Sequence, residues 1–150
     1  MIDVNNFDAV SFDVYGTILN WEPEIAQFLS DWSDVNGRTV DQLQLLNAYD
    51  RVRQPLQSIR PALRYPEVLS STLVRLAEEF DLPVADDQLI VFSRIAATHK
   101  PFPDSVQSLN DLRSMGLKLA ALSNIDEESF AKVTSAANLK FDITVTAERV

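Results

Sequence analysis

Two short apolar, β-prone stretches, residues 7–13 and 117–122, are separated by about 100 residues that contain no convincing strand. A parallel crossover needs only a dozen or more residues, usually one helix. The path from Ser123 to a third apolar stretch, residues 141–146, has that ordinary form, with one helix expected to about Asn138. The first connection is far longer than a crossover requires. The economical arrangement is therefore an α/β fold: a Rossmann-like parallel sheet core from residues 1–19 and 99–150, interrupted by an inserted helical cap at 20–98. Open α/β sheets bind ligands over the carboxyl ends of their strands. A site is expected there, where Asp13, Thr17, Ser123 and Asn124 would meet.

The insertion reads as a run of helices. Pro23 suits a helix start, and Gly37 stops that helix after about Val35. Thr39 and Gln42 have the spacing of a capping box for a helix through about Gln54. Pro55, Pro61 and Pro66 break the segment 55–66, and Pro66 starts a helix with Leu69, Leu73, Leu76 and Phe80 on one face. Leu82-Pro83 ends it, and a further helix over about 85–97 carries Leu89, Phe92 and Ile95 or Ala96. After the insertion, Asp104 and Gln107 form a second cap pair, for a helix over about 104–115 that carries Leu109, Leu112 and Met115 and is closed by Gly116. Asp126, Glu127 and Glu128 place negative charge in the first turn of the next helix, which the helix dipole favours.

Composition narrows the classes of partner. The chain has 150 residues, 46% of them hydrophobic, and a mean hydropathy of −0.05, the balance of a globular protein with a core. A net charge of −9 repels phosphate backbones, so no nucleic-acid partner is expected. No basic run suggests a membrane surface, no signal-peptide pattern opens the chain, and no apolar run approaches the roughly 20 residues of a bilayer span. The expected location is cytoplasmic. The chain has no Cys, which excludes disulfides, thiol catalysis and thiolate metal sites.

Asp13, at the end of an apolar strand and before the turn Tyr15-Gly16-Thr17, has four readings: base, metal ligand, nucleophile, or simple turn cap. A nucleophilic carboxylate needs donors that orient one oxygen and leave the other free. Gly16 permits close backbone approach, and Thr17 and Ser123 offer hydroxyls. Ser123-Asn124 reads either as a donor pair for a substrate anion or as the cap of the helix near Asp126. Trp21, Phe28 and Trp32 read as pocket lining or, more plainly, as helix core. His99, the only histidine, reads as structural or solvated, and Asp86-Asp87 and Asp126-Glu127-Glu128 as helix-start charges; no metal site is expected.

Taken together, FDVYGTIL, the helical insertion, PFPD-x-V, LSN and FD-x-x-x-T-A-E resemble the haloacid dehalogenase (HAD) superfamily of hydrolases, and most of all its L-2-haloacid dehalogenase (type II) branch. The likeness spans roughly residues 7–150. It implies that Asp13 is the nucleophile, that Thr17 hydrogen-bonds it, and that Ser123 and Asn124 hold the substrate carboxylate and position the nucleophile. Tyr15 is the discriminating position. Phosphatases of the superfamily carry a second Asp there to protonate a leaving alkoxide, and the site holds Mg²⁺. A halide leaves without a proton, so Tyr15 fits displacement of halide from a small 2-haloalkanoic acid, with no cofactor. A Mg²⁺-dependent small-molecule phosphatase is the alternative, and a catalytically defective homologue acting as a binding module is another. The resemblance also implies that a cap arginine receives the halide. Arg38, Arg51 and Arg53 are candidates, with Arg51 taken as the substrate-binding residue, and each reads equally as a surface ion pair. Dimers are common in the family, so a homodimer is an expected partner. Family members carry a Lys-Pro motif shortly after T-A-E, then an acidic or polar motif on the next strand. Lys140 precedes the third strand and does not match that lysine. The expectation is a core lacking its C-terminal strands, which would leave the first strand as an apolar edge: a fragment of a longer gene product, a chain whose edge another chain covers, or a folded but catalytically defective protein.

Overall fold

The computed structural model describes residues 6–149; the outermost positions of the expected core, 1–5 and 150, lie outside the described residues. The chain divides into two compact units, Met1–Asn20 with His99–Val150, and Trp21–Thr98.

The first unit holds a parallel sheet of β1 (Ala9–Asp13), β4 (Lys118–Leu122) and β5 (Ile143–Val145) in the order β1-β4-β5. A two-residue antiparallel ribbon pairs β2 (Leu19–Asn20) with β3 (Lys100–Pro101). Helix α5 (Ser105–Ser114) precedes β4, and α6 (Glu127–Ala136) connects β4 to β5. Register sets Asp13 opposite Leu122, and Leu122 opposite Val145. Asn20 falls in this unit rather than in the insertion, because it pairs with Lys100 in the ribbon.

The strands are shorter than their apolar stretches, and β1 is less buried than its sequence suggests. Ala9, Ser11 and Asp13 are exposed, Val10 and Phe12 are half-buried, and Phe7 lies outside the strand, 57% exposed. Among the described residues β1 has one strand neighbour, β4, so a strand composed for burial on both faces stands at an edge. The central strand is covered: Leu119 and Ala121 are each 0% exposed.

The second unit contains α1 (Glu22–Val35), α2 (Gln42–Gln57), α3 (Tyr65–Phe80), α4 (Asp86–Ser93) and a 3-10 turn (Ile95–Thr98). The predicted α3 stripe is the core: Leu69, Leu73 and Leu76 are fully buried and Phe80 nearly so. Ile25, Leu29 and Trp32 of α1 and Leu45, Ala48 and Tyr49 of α2 are buried too, at helical spacing. Trp32 packs as core, and its indole N–H donates to the Pro83 carbonyl at 2.9 Å. Phe28 stacks at a tilt on Phe92, ring centres 4.7 Å apart.

Several expected caps resolve differently. Asp41, not Thr39, caps α2, accepting the Gln44 amide at 3.1 Å, because the cap must directly precede the first helical residue, Gln42. Thr39 instead donates its hydroxyl to Asp34 at 3.0 Å. Helix α2 runs past Pro55 to Gln57; in the last turn a proline forfeits only one helical bond. Asp104 makes no side-chain cap bond, and Gln107 donates to Asp111 at 2.7 Å. Asp126 is itself the cap of α6, accepting the Ser129 amide at 2.9 Å. Met115, expected on the buried face of α5, is 55% exposed, since α5 ends at Ser114. Among the described residues no helix is long and apolar enough to cross a membrane.

Leu73→Ala is expected to cost about 2–5 kcal/mol, because a fully buried leucine leaves a cavity, whereas Val91→Ser, at a position 58% exposed, should cost under about 0.5 kcal/mol. Urea denaturation of the two variants checks the assignment of this core.

Candidate active site

The residue after Asp13 sets the geometry of everything at the strand end. Val14 is fully buried, and its carbonyl accepts the amides of Thr17 at 3.4 Å, Ile18 at 2.9 Å and Leu19 at 2.9 Å. The Gly16 amide donates to the Leu19 carbonyl at 2.8 Å. Such a tight loop needs one left-handed residue, and Gly16 supplies it at φ +93°. The loop brings Thr17 back over the strand end, where its hydroxyl donates to Asp13 Oδ2 at 3.0 Å. Bonds to an ionised carboxylate are the stronger kind, so this one orients the group. No other hydrogen bond to Asp13 occurs among the described residues, and the residue is exposed.

The neighbouring strand end contributes Ser123 and Asn124. They follow Leu122, the register partner of Asp13. The Ser123 amide is tied to the Val145 carbonyl at 2.9 Å, and the residue is 9% exposed, its hydroxyl without a partner among the described residues. Asn124 is exposed. Since Asp126 caps α6, the Ser123-Asn124 pair does not serve as that cap. The first unit thus brings Asp13, Tyr15, Thr17, Ser123 and Asn124 together at the C-terminal ends of β1 and β4.

Tyr15 is half-buried and bridges to Leu19. Its ring meets His99 edge-on, centres 5.8 Å apart and planes at 82°. His99 is 3% exposed, so it is not solvated. Burial lowers its imidazole from the ordinary value to about 4, leaving it neutral near pH 7. Sequence gave no sign that this histidine lies beside the turn, 84 residues away along the chain.

The three candidate arginines differ sharply. All belong to the helical unit. Arg38 donates to the Phe80 carbonyl and so closes the end of α3. Arg51 makes two bonds to Glu79, at 2.7 and 2.8 Å, with its side chain 62% exposed. Arg53 is not a surface residue: its side chain is 18% exposed, with its guanidinium carbon 5.7 Å from the Trp21 ring centre and 5.4 Å from that of Tyr49. It pairs with Asp50 at 2.7 Å and donates to Gln57, while its Nε is buried without a partner among the described residues. Burial raises the phenols of Tyr49 and Tyr65 beside it, so both stay protonated.

The wider comparison agrees with the arrangement. The haloacid dehalogenase-like hydrolase family matches residues 7–150, and the chain belongs to that family. Similar solved structures include the L-2-haloacid dehalogenase PA0810, at 23% identity and TM-score 0.78, over 95% of this chain and 63% of that one. The defluorinating L-2-haloacid dehalogenase Rha0230 shares 21% identity with TM-score 0.78, over 95% of this chain and 61% of its own. The L-2-haloacid dehalogenase from Xanthobacter autotrophicus shares 22% identity with TM-score 0.77, over 96% of this chain and 59% of its own. At these identities the likeness establishes the Rossmann-like HAD fold. This chain spans about three-fifths of the length of those structures. No curated protein sequence matches it.

A depressed imidazole has a definite consequence for stability. Between the ordinary histidine value near 6.5 and about 4, the unfolded chain binds a proton that the folded one refuses. Stability therefore falls as pH drops through that window, by on the order of 3 kcal/mol in total. His99→Phe removes the titrating group, so its melting temperature should fall less than that of the parent between pH 7 and pH 4. Equal slopes in thermal scans would refute the burial effect.

Proposed function

We propose that this hydrolase acts as a 2-haloacid dehalogenase, with a small 2-haloalkanoic acid as substrate. The observation that carries the reading is the exposed Asp13 carboxylate with Oδ2 held by Thr17 at 3.0 Å, two residues before a tyrosine where a proton-donating carboxylate would serve an alkoxide leaving group. Asp13 Oδ1 attacks C2 from the side opposite the halogen. The C–O bond forms as the C–X bond breaks, and the bonding pair leaves as halide, which needs no proton. Water then adds to the carbonyl carbon of the Asp13 ester. The alkoxide departs with a proton from that water, giving the 2-hydroxy acid inverted at C2, and Asp13 is regenerated. Ser123 and Asn124 hold the substrate carboxylate through hydroxyl and amide donors.

The halide needs a desolvated cation. Arg53 suits that task better than Arg51. Both are ion-paired, Arg53 with Asp50 and Arg51 with Glu79, but the Arg53 side chain is 18% exposed and lies beside the rings of Trp21 and Tyr49, whereas that of Arg51 is 62% exposed. The two arginines thereby separate: Arg53→Ala should abolish most activity, while Arg51→Ala should change it less than about threefold, as exposed ion pairs contribute little.

Halide release from 2-chloropropionate, followed with an ion-selective electrode, tests the reaction. Asp13→Asn should lower it by roughly 10³-fold or more, and Thr17→Val by about tenfold to a hundredfold. A single turnover in ¹⁸O water should label Asp13 and leave the product unlabelled. Phosphate release that requires added Mg²⁺, with no halide release under the same conditions, would sink the proposal.

A further inference from the structure

Past the ends of β4 and β5, residues 123–127 and 145–149 continue side by side. The Ser123 amide donates to the Val145 carbonyl at 2.9 Å, and the Ala147 amide donates to the Ile125 carbonyl at 3.1 Å. One step further on, the Glu127 amide donates to a side chain, Glu148 Oε2, at 2.9 Å. These bonds prolong the parallel pairing of β4 with β5 across the turn that carries Ser123 and Asn124.

The third bond differs from the first two in needing a particular residue. Any residue supplies a carbonyl, but only a few side chains can accept from an amide. Glu127 is the first residue of α6, so its amide has no acceptor within the helix. Asp126 Oδ1 takes the Ser129 amide, and Glu148 takes that of Glu127. A carboxylate is also the acceptor that the positive end of a helix favours. The neighbouring Arg149 adds an ion pair to the Glu127 side chain, but both partners are largely exposed, and such pairs contribute little. Between these anchors Ser123, Ile125 and Asp126 are buried, and Asn124 faces solvent. Donors held in place before a substrate arrives bind it better, since ordering them on binding costs affinity.

We infer that Glu148 is a positioning residue of this site: by holding the first amide of α6 it fixes the turn that presents Ser123 and Asn124 at the strand end. That this serves substrate binding rests on the dehalogenase reading; that Glu148 holds the turn does not. Glu148 acts through the turn, and so on KM more than on kcat.

Two measurements on the whole chain test this. Amide hydrogen exchange, followed residue by residue by NMR, reads the turn directly. Glu148→Ala should speed exchange at Ser123 and Glu127 about tenfold, with the Leu119 amide, held by Asp142 at 2.8 Å in the central strand, within about twofold of the parent. Glu148→Gln keeps a side-chain oxygen that accepts the bond, and should return both rates to within about threefold. Arg149→Ala should leave them within about threefold of the parent as well. In halide-release kinetics Glu148→Ala should raise KM about tenfold with kcat changed less than about threefold, and Glu148→Gln should restore KM to within about threefold. Unchanged exchange at Ser123 and Glu127 in Glu148→Ala would overturn the inference. So would equal acceleration at Leu119, which marks a general loss of stability, or an unchanged KM in an active enzyme. If the parent releases no halide, the dehalogenase reading fails alone, and the exchange rates still decide whether Glu148 holds the turn.

Discussion

The carbonyl of Val14 is the hub on which the site depends. It is buried away from water, and it gathers three amides from a six-residue loop. A buried carbonyl left unpaired costs a few kcal/mol, so the loop has one stable way to close. That closure places the Thr17 hydroxyl on Asp13, turns Gly16 left-handed, and leads the chain into the ribbon through Leu19. The orientation of the carboxylate is thus a by-product of satisfying a main-chain group, and it needs no ligand to hold it.

A second constraint works from the other side of the insertion. The helical unit leaves the core after Asn20 and returns at His99, and these ends are stitched together by the β2–β3 pairing and by two bonds to Ile18. A short ribbon therefore carries the continuity of the sheet unit across a 78-residue excursion. The same ribbon seats a buried histidine against Tyr15, two residues after Asp13. Support for the loop comes from residues that are remote in sequence but fixed in register.

Much of this was legible in the residues. The α3 stripe of Leu69, Leu73, Leu76 and Phe80 proved to be core, because helical periodicity is a local signal. The bond from Thr17 to Asp13 was implied by the family resemblance rather than by the turn itself. The caps were less legible. Asp41 and Asp126 took roles assigned to Thr39 and to the Ser123-Asn124 alternative, since a shift of one or two residues in a helix start changes which side chain meets the free amides. The burial of β1 was misjudged for a different reason: its composition suits two covered faces, but exposure depends on which neighbours are present.

The sequence by itself determined the class of fold, the strand end that carries Asp13, and a tyrosine two residues after it. These depend on periodicity, on turn chemistry and on residue identity, all of which are local. Only the tertiary structure decided which arginine is desolvated, which serine hydroxyl is without a partner among the described residues, and that His99 lies against Tyr15. Each of those depends on burial and on contacts between distant segments, and a side chain's solvation is fixed only when the chain has closed around it.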